Sequence, residues 1–331
     1  MLGGISMTPK ERAVAALTLK IPDMVPTLEL EFQLEEEMFG RKFITEDLTK
    51  EGLAKLSWNE KEKRIYQLAE YMVEVYSTLE YSSIPGFVLG DASEFWNEGG
   101  PLPEETKLLI KYLRQLIGDQ YMIHYHGDGT FAIPDGNEMY EFAYAIADNR
   151  EGVKEKAAKM AQIAIERNKR LADAGVDCLI LCADYCYNSG PFLSPAMFEE
   201  FIQPYLYKII EEARKLGLYT IKHTDGNIMP ILHQLVECNP HALHSLDPQA
   251  KVDIKVVKEL VGDKVCLCGN VNCALMQTGT EEEVIQSAEY ALTYGKPGGG
   301  YIFCTSNVPF KGLPPERYQL ILDVWRSMRK Y

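Results

Sequence analysis

A single α/β domain built as a (β/α)₈ TIM-type barrel is the fold this sequence predicts, on three observations. Short β-prone runs alternate with helical patterns along nearly the whole chain. Eight such runs are present, and side chains suited to chemistry gather at their C-terminal ends. The 331-residue length suits one barrel of this kind with additions.

The chain opens with Thr8-Pro9-Lys10-Glu11, a Thr N-cap with Pro at N1 and Glu at N3, which marks a helix start. Met7 is read as the biological start, with the first six residues a disordered extension. The first strand is expected at 25–31 (VPTLELE), followed by a helix-rich stretch, 33–80, inserted near the barrel mouth. Further strands are expected at 82–88, 120–125, 177–183, 218–222, 242–246, 264–268 and 300–304. Helical patterns lie at 59–79, 105–117, 136–147, 150–174, 195–215, 228–238, 253–261, 281–294 and 315–329. In 150–174 the spacing of Val153, Ala157, Met160, Ala164 and Ile165 buries one face. With no repeat, low-complexity tract or composition break, residues 1–331 read as one domain.

Apolar residues make up 46% and charged residues 25%, the profile of a globular chain. The net charge of −14 argues against nucleic acid or an anionic membrane as partner, since both need basic surfaces. No apolar run is long enough to span a membrane, and the N-terminus lacks signal-peptide order, so a cytoplasmic location is expected. The eight cysteines then read as reduced thiols, each by default a small hydrophobe.

Read in order, the strand ends offer Glu29 and Glu31; His124, His126 and Asp128; Asp184 and Tyr185; His223 and Asp225; His244 and Asp247; Cys266 and Cys268; and Cys304. Alternate residues of a strand share a face, so His223 and Asp225 project together. Two polar groups side by side at a strand end need a reason. Gly226 permits a sharp turn behind them, and Asn227 is placed to cap the next helix. Imidazole, carboxylate and thiolate converging from different strands suit zinc. A plainer reading stands beside this one: His124 and His126 as hydrogen-bonded core residues, Asp184 as a loop cap, the cysteines as core filler.

The stretches "ERAVAALTLKIPDMVPTLEL", "NSGPFLSPAMFEEFIQPYL", "IKHTDGNIMPIL", "GDKVCLCGNVNC" and "GKPGGGYIFCTSNVP" resemble the superfamily of uroporphyrinogen decarboxylase and the cobalamin-linked methyltransferases. The resemblance implies a barrel with a deep cavity at the C-terminal face. The decarboxylase branch grips its substrate's carboxylates with an Arg-rich N-terminal segment. Here the matching "VPTLELEFQLEEEMFG" has no Arg. The methyltransferase branch carries His-x-Cys on the fifth strand and a later Cys near the last; this chain has His223-Thr224-Asp225 and Cys304. One thiolate is thus replaced by a carboxylate, itself a zinc ligand.

The resemblance therefore implies a zinc-dependent methyltransferase moving a methyl group between a small methylated substrate and the cobalamin of a separate corrinoid protein. An aryl methyl ether is the first choice of substrate. Zinc is expected on His223, Asp225 and Cys304, with Cys268 as the competing ligand. His124, His126, Asp184 and Tyr185 are the catalytic candidates, and Glu29, Glu31 and Asn270 the substrate-binding ones. The chain has no DxHxxG-type corrinoid pattern, so the cobalamin must arrive on its partner. A homodimer is left open. The alternatives are a decarboxylase of the uroporphyrinogen type and a catalytically inactive barrel that binds a small molecule.

Overall fold

A computed structural model describes residues 6–331, so the expected extension before Met7 falls, but for Ser6, outside the described residues. The strands are β1 (Ser83–Pro85), β2 (Met122–His126), β3 (Cys178–Cys182), β4 (Cys186–Tyr187), β5 (Gly190–Pro191), β6 (Tyr219–His223), β7 (Ala242–His244), β8 (Cys266–Cys268) and β9 (Tyr301–Ile302). Seven of them form one parallel sheet in the order β1-β2-β3-β6-β7-β8-β9, while β4 and β5 make a small antiparallel hairpin. The long connections between sheet strands carry helices, as parallel pairing requires.

The eighth stave differs from expectation. Residues 25–31 form no regular strand, because Pro26 has no N–H to give a ladder. The segment still joins both neighbours: the Phe303 N–H donates to the Pro26 carbonyl at 2.9 Å, and the Ser82 N–H to the Thr27 carbonyl at 2.7 Å. Thr27 and Phe303 form a parallel bridge, so the wall closes through an irregular stave. Glu29 reinforces the closure by accepting from the Thr305 N–H at 3.0 Å and the Thr305 hydroxyl at 2.6 Å.

The helix Pro9–Leu17 begins with the expected capping box on Thr8 and Glu11. Its Ala13, Ala16 and Leu17 pack with Leu28, Ile180, Ile221 and Ile302 in the barrel interior and stop its lower end. The pattern at 195–215 splits into Pro195–Phe201 and Gln203–Lys215, since Pro204 cannot continue the backbone bonding. The pattern at 228–238 becomes a 3₁₀ turn, Met229–Ile231, and a short helix, Leu232–Glu237. Within 33–80, the helix Trp58–Thr78 packs against Glu104–Ile117 and β1, and residues 33–44 border the barrel mouth.

One charged side chain organises the mouth from outside the lumen. Lys222 is completely buried, and its ammonium donates to Asp128 Oδ2 at 2.8 Å and to the carbonyls of Leu181 and Ala183, both at 3.0 Å. The Tyr185 ring lies 4.1 Å from the same ammonium. Burial pushes the Asp128 carboxyl up, but Lys222 outweighs it and holds the group below its usual range. A buried ion pair of this kind is costly to break from one side. Lys222→Met is expected to lose about 3–5 kcal/mol in urea unfolding. Lys222→Met combined with Asp128→Asn should recover part of that loss, whereas equal losses would contradict a paired charge.

Candidate functional site

The rim of the barrel brings together Asp184, His223 and Asp225, whose donor atoms all lie within 4.8 Å of one another. His223 ends β6, and its register partner is Cys182 at the end of β3, which sets Asp184 beside it two residues later. His223 Nε2 is 3.6 Å from Asp184 Oδ1 and 3.8 Å from Asp225 Oδ1. Behind the ring, His223 Nδ1 meets His244 Nδ1 at 2.8 Å. Gly226 has a φ of +81°, and a Cβ there would lie 2.3 Å from the Cys186 carbonyl oxygen, so only glycine lets the chain turn under the hairpin.

Asp225 is held by neighbours that sequence reasoning does not single out. The Asn307 amide donates to Oδ2 at 2.5 Å. Ser245 Oγ lies 2.7 Å from Asp225 Oδ1 and 2.7 Å from the Ser306 carbonyl. One hydroxyl proton cannot serve two acceptors fully, but a proton on Asp225 satisfies both contacts. Burial, and then the nearby Asp184 and Asp247, push the Asp225 carboxyl up to about 6. Ser245 and Leu246 take φ values of 82° and 49°, unusual for residues with side chains, and this strained turn carries the Ser245 hydroxyl to Asp225.

These residues fit a divalent metal. His223 is pulled down to about 4, first by burial, so its imidazole is neutral near pH 7 and has a lone pair to offer. When Nδ1–H is donated to His244, that lone pair faces two carboxylates, an arrangement that calls for a cation between them. Among the described residues, no Lys or Arg forms an ion pair with Asp184 or Asp225. Donors bound at ~2.0–2.2 Å around a tetrahedral ion stand ~3.3–3.6 Å apart, close to the separations seen here.

A cavity of about 570 Å³, within the range of small-molecule sites, opens at the barrel mouth; its lining includes His126 but none of Asp184, His223 and Asp225. Phe32, Phe43, Phe87 and Trp96 give it aromatic walls, and Glu31, His124 and His126 its polar inner edge. His126 Nε2 lies 3.1 Å from Glu31 Oε1. Burial lowers the His126 pKa, but the neighbouring Cys182 and Glu31 outweigh it and carry the ring up to about 10. Cys182 neighbours His126 and is the register partner of His223, so it lies between the cavity and the cluster.

The other candidates lie elsewhere. His124 lines the cavity, but Nδ1 meets Ser83 Oγ at 2.7 Å and Nε2 the Leu30 carbonyl at 3.1 Å, so both ring nitrogens are engaged. Tyr185 is buried, with its hydroxyl 2.5 Å from that of Thr130. Glu29 is buried in the closing wall, and Asn270 donates to the Leu246 carbonyl at 2.8 Å. Cys268 and Cys304 are completely buried in the barrel interior, outside the Asp184–His223–Asp225 group, and burial raises both thiols. The residue after the last strand that reaches Asp225 is Asn307, not Cys304.

The family described as "Uroporphyrinogen decarboxylase (URO-D)" matches residues 135–328. A uroporphyrinogen decarboxylase of Photobacterium profundum is 25% identical over 182 residues, covering 52% of this chain and 47% of that protein. The chain therefore spans about half the length of this relative. A solved methyltransferase from Methanosarcina mazei shares the fold with a TM-score of 0.71 at 18% identity, over 97% of this chain and 99% of that one. Among the described residues, no helix is long and apolar enough to cross a membrane.

Metal uptake at this rim is expected to depend on pH through Asp225. Its raised pKa of about 6 means that a proton must leave before the carboxylate binds, so affinity weakens as pH falls through that value. Zinc affinity, measured by competition with a chromogenic chelator, should fall roughly tenfold per pH unit below that point. Asp225→Asn should bind more weakly and lose this dependence. A flat profile between about pH 5 and 7 in the unaltered chain would refute the assignment.

Proposed function

The chain belongs to the uroporphyrinogen decarboxylase (URO-D) family, and on that premise we propose that it is a metal-dependent methyltransferase. Its substrates would be a small methylated compound, an aryl methyl ether as first choice, and the cobalamin of a separate corrinoid protein. The observation that carries this reading is the convergence of Asp184, His223 and Asp225 with, among the described residues, no Lys or Arg ion-paired to either carboxylate. Zinc is the first choice of metal, since nitrogen and carboxylate donors suit it. When bound, it supplies Lewis acidity toward the heteroatom that carries the methyl group.

The chain's own residues divide the remaining work. The His223–His244 contact aims Nε2 at the two carboxylates. Ser245 and Asn307 hold both oxygens of Asp225 and so fix the orientation of its carboxylate. The aromatic walls exclude water and hold a flat ring. His126, protonated at neutral pH and braced by Glu31, is the acid that gives a proton to the leaving oxygen.

The family match also favours a second reading, a decarboxylase like the Photobacterium relative. Such a substrate carries many carboxylates, yet the cavity's cations apart from its histidines are Lys42 and Lys311, with Glu31 and Glu35 opposing them. That balance disfavours a polyanion.

His223→Ala is expected to keep the fold and lose at least about a hundredfold in methyl transfer. The assay follows the absorbance of a reduced corrinoid acceptor incubated with a methoxylated aromatic compound. A variant working at the unaltered rate would sink the proposal.

A further inference from the structure

Resting on the reading that an aryl methyl ether enters the cavity, we infer that the substrate also bears a carboxylate and that Lys42 and Lys311 bind it. Both ammonium groups converge on a single oxygen, Glu36 Oε2, at 3.4 and 3.5 Å. Both lysines line the cavity, whereas Glu36 does not. The separations exceed the ~2.7–2.9 Å of a good charge-assisted bond, so each ammonium keeps donors for a better-placed anion.

Glu36 is easily displaced. It lies half exposed on a five-residue helix, Glu35–Phe39, that has no buried residue of its own. Its carboxylate holds the place between the two lysines that a substrate carboxylate takes. The acids of the cavity lining do not compete for that place: Glu31 is engaged by His126 and by Gln33, both at 3.1 Å, and Glu35 accepts from the Phe43 N–H at 3.4 Å.

The polarity of the cavity then sets the substrate's direction. Lys42 and Lys311, 50% and 66% exposed, mark the outer end, and the buried His124 marks the inner end. Phe32, Phe43 and Phe87 supply the aromatic surface of the cavity. A methoxylated aromatic acid enters with its carboxylate outward on the lysines and its methoxy group toward His124 and His126.

Isothermal titration of the full chain with 4-methoxybenzoate and with methoxybenzene tests this, and it needs neither metal nor corrinoid. The acid should bind at least about tenfold more tightly than the neutral ether. Lys42→Met and Lys311→Met should each lose about tenfold for the acid and change little for the ether. Glu36→Gln should tighten the acid a few-fold, because the competing carboxylate is gone. Equal affinity for the two compounds, no binding of either, or lysine variants that bind the acid normally would each overturn the inference. Tight, lysine-dependent binding of an acid whose methyl group is never transferred would leave this site standing and refute the methyl-transfer reading instead.

Discussion

Everything at the mouth of this barrel depends on Lys222. It is the outward residue between Ile221 and His223 on β6, and its three donors reach Asp128 and the carbonyls on either side of Cys182. Those partners belong to the chain just beyond His126 and to the segment that leads into Asp184. One ammonium therefore fixes the relative heights of the strand ends that carry His126, Asp184 and His223. A full charge is tolerated there because every donor has an acceptor and Asp128 balances the sign.

With the strand ends fixed, a charge imbalance appears on the inner side. Two carboxylates face a neutral imidazole, and the Lys222 ammonium is spent on the opposite face of the sheet. Asp225 answers by keeping its proton, shared through Ser245 toward the Ser306 carbonyl. The same geometry accepts a divalent ion once that proton leaves. Cys182 and His126 link this cluster to the aromatic cavity, so an electrophilic group and an apolar binding surface come to lie along one wall.

Much of the fold is legible in the sequence because the period of apolar residues changes from strand to helix at each connection. The stave at 25–31 is not, since Pro26 removes the ladder while hydrogen bonds to both neighbours preserve its place. In the site, the pairing of His223 with Asp225 follows from a two-residue spacing on one strand. The nearness of Asp184 does not, because it depends on the register of Cys182 with His223 across two strands. Ser245 reaches Asp225 only through a turn with positive φ, for which Ser and Leu give no sequence signal. Asn307 lies beyond the last strand, where alternation no longer says which side chain points inward, so Cys304 draws attention that the geometry gives to a residue three positions on.

The central claim is that Asp184, His223 and Asp225 form a metal centre, and metal content tests it most directly. Untagged chain, freshly purified, would be analysed by inductively coupled plasma mass spectrometry beside a variant carrying Asp184→Asn, His223→Ala and Asp225→Asn. The account predicts about one zinc or similar divalent ion per unaltered chain and none in the variant. An unaltered chain that stays empty after incubation with zinc, or a variant that keeps its metal, would contradict it.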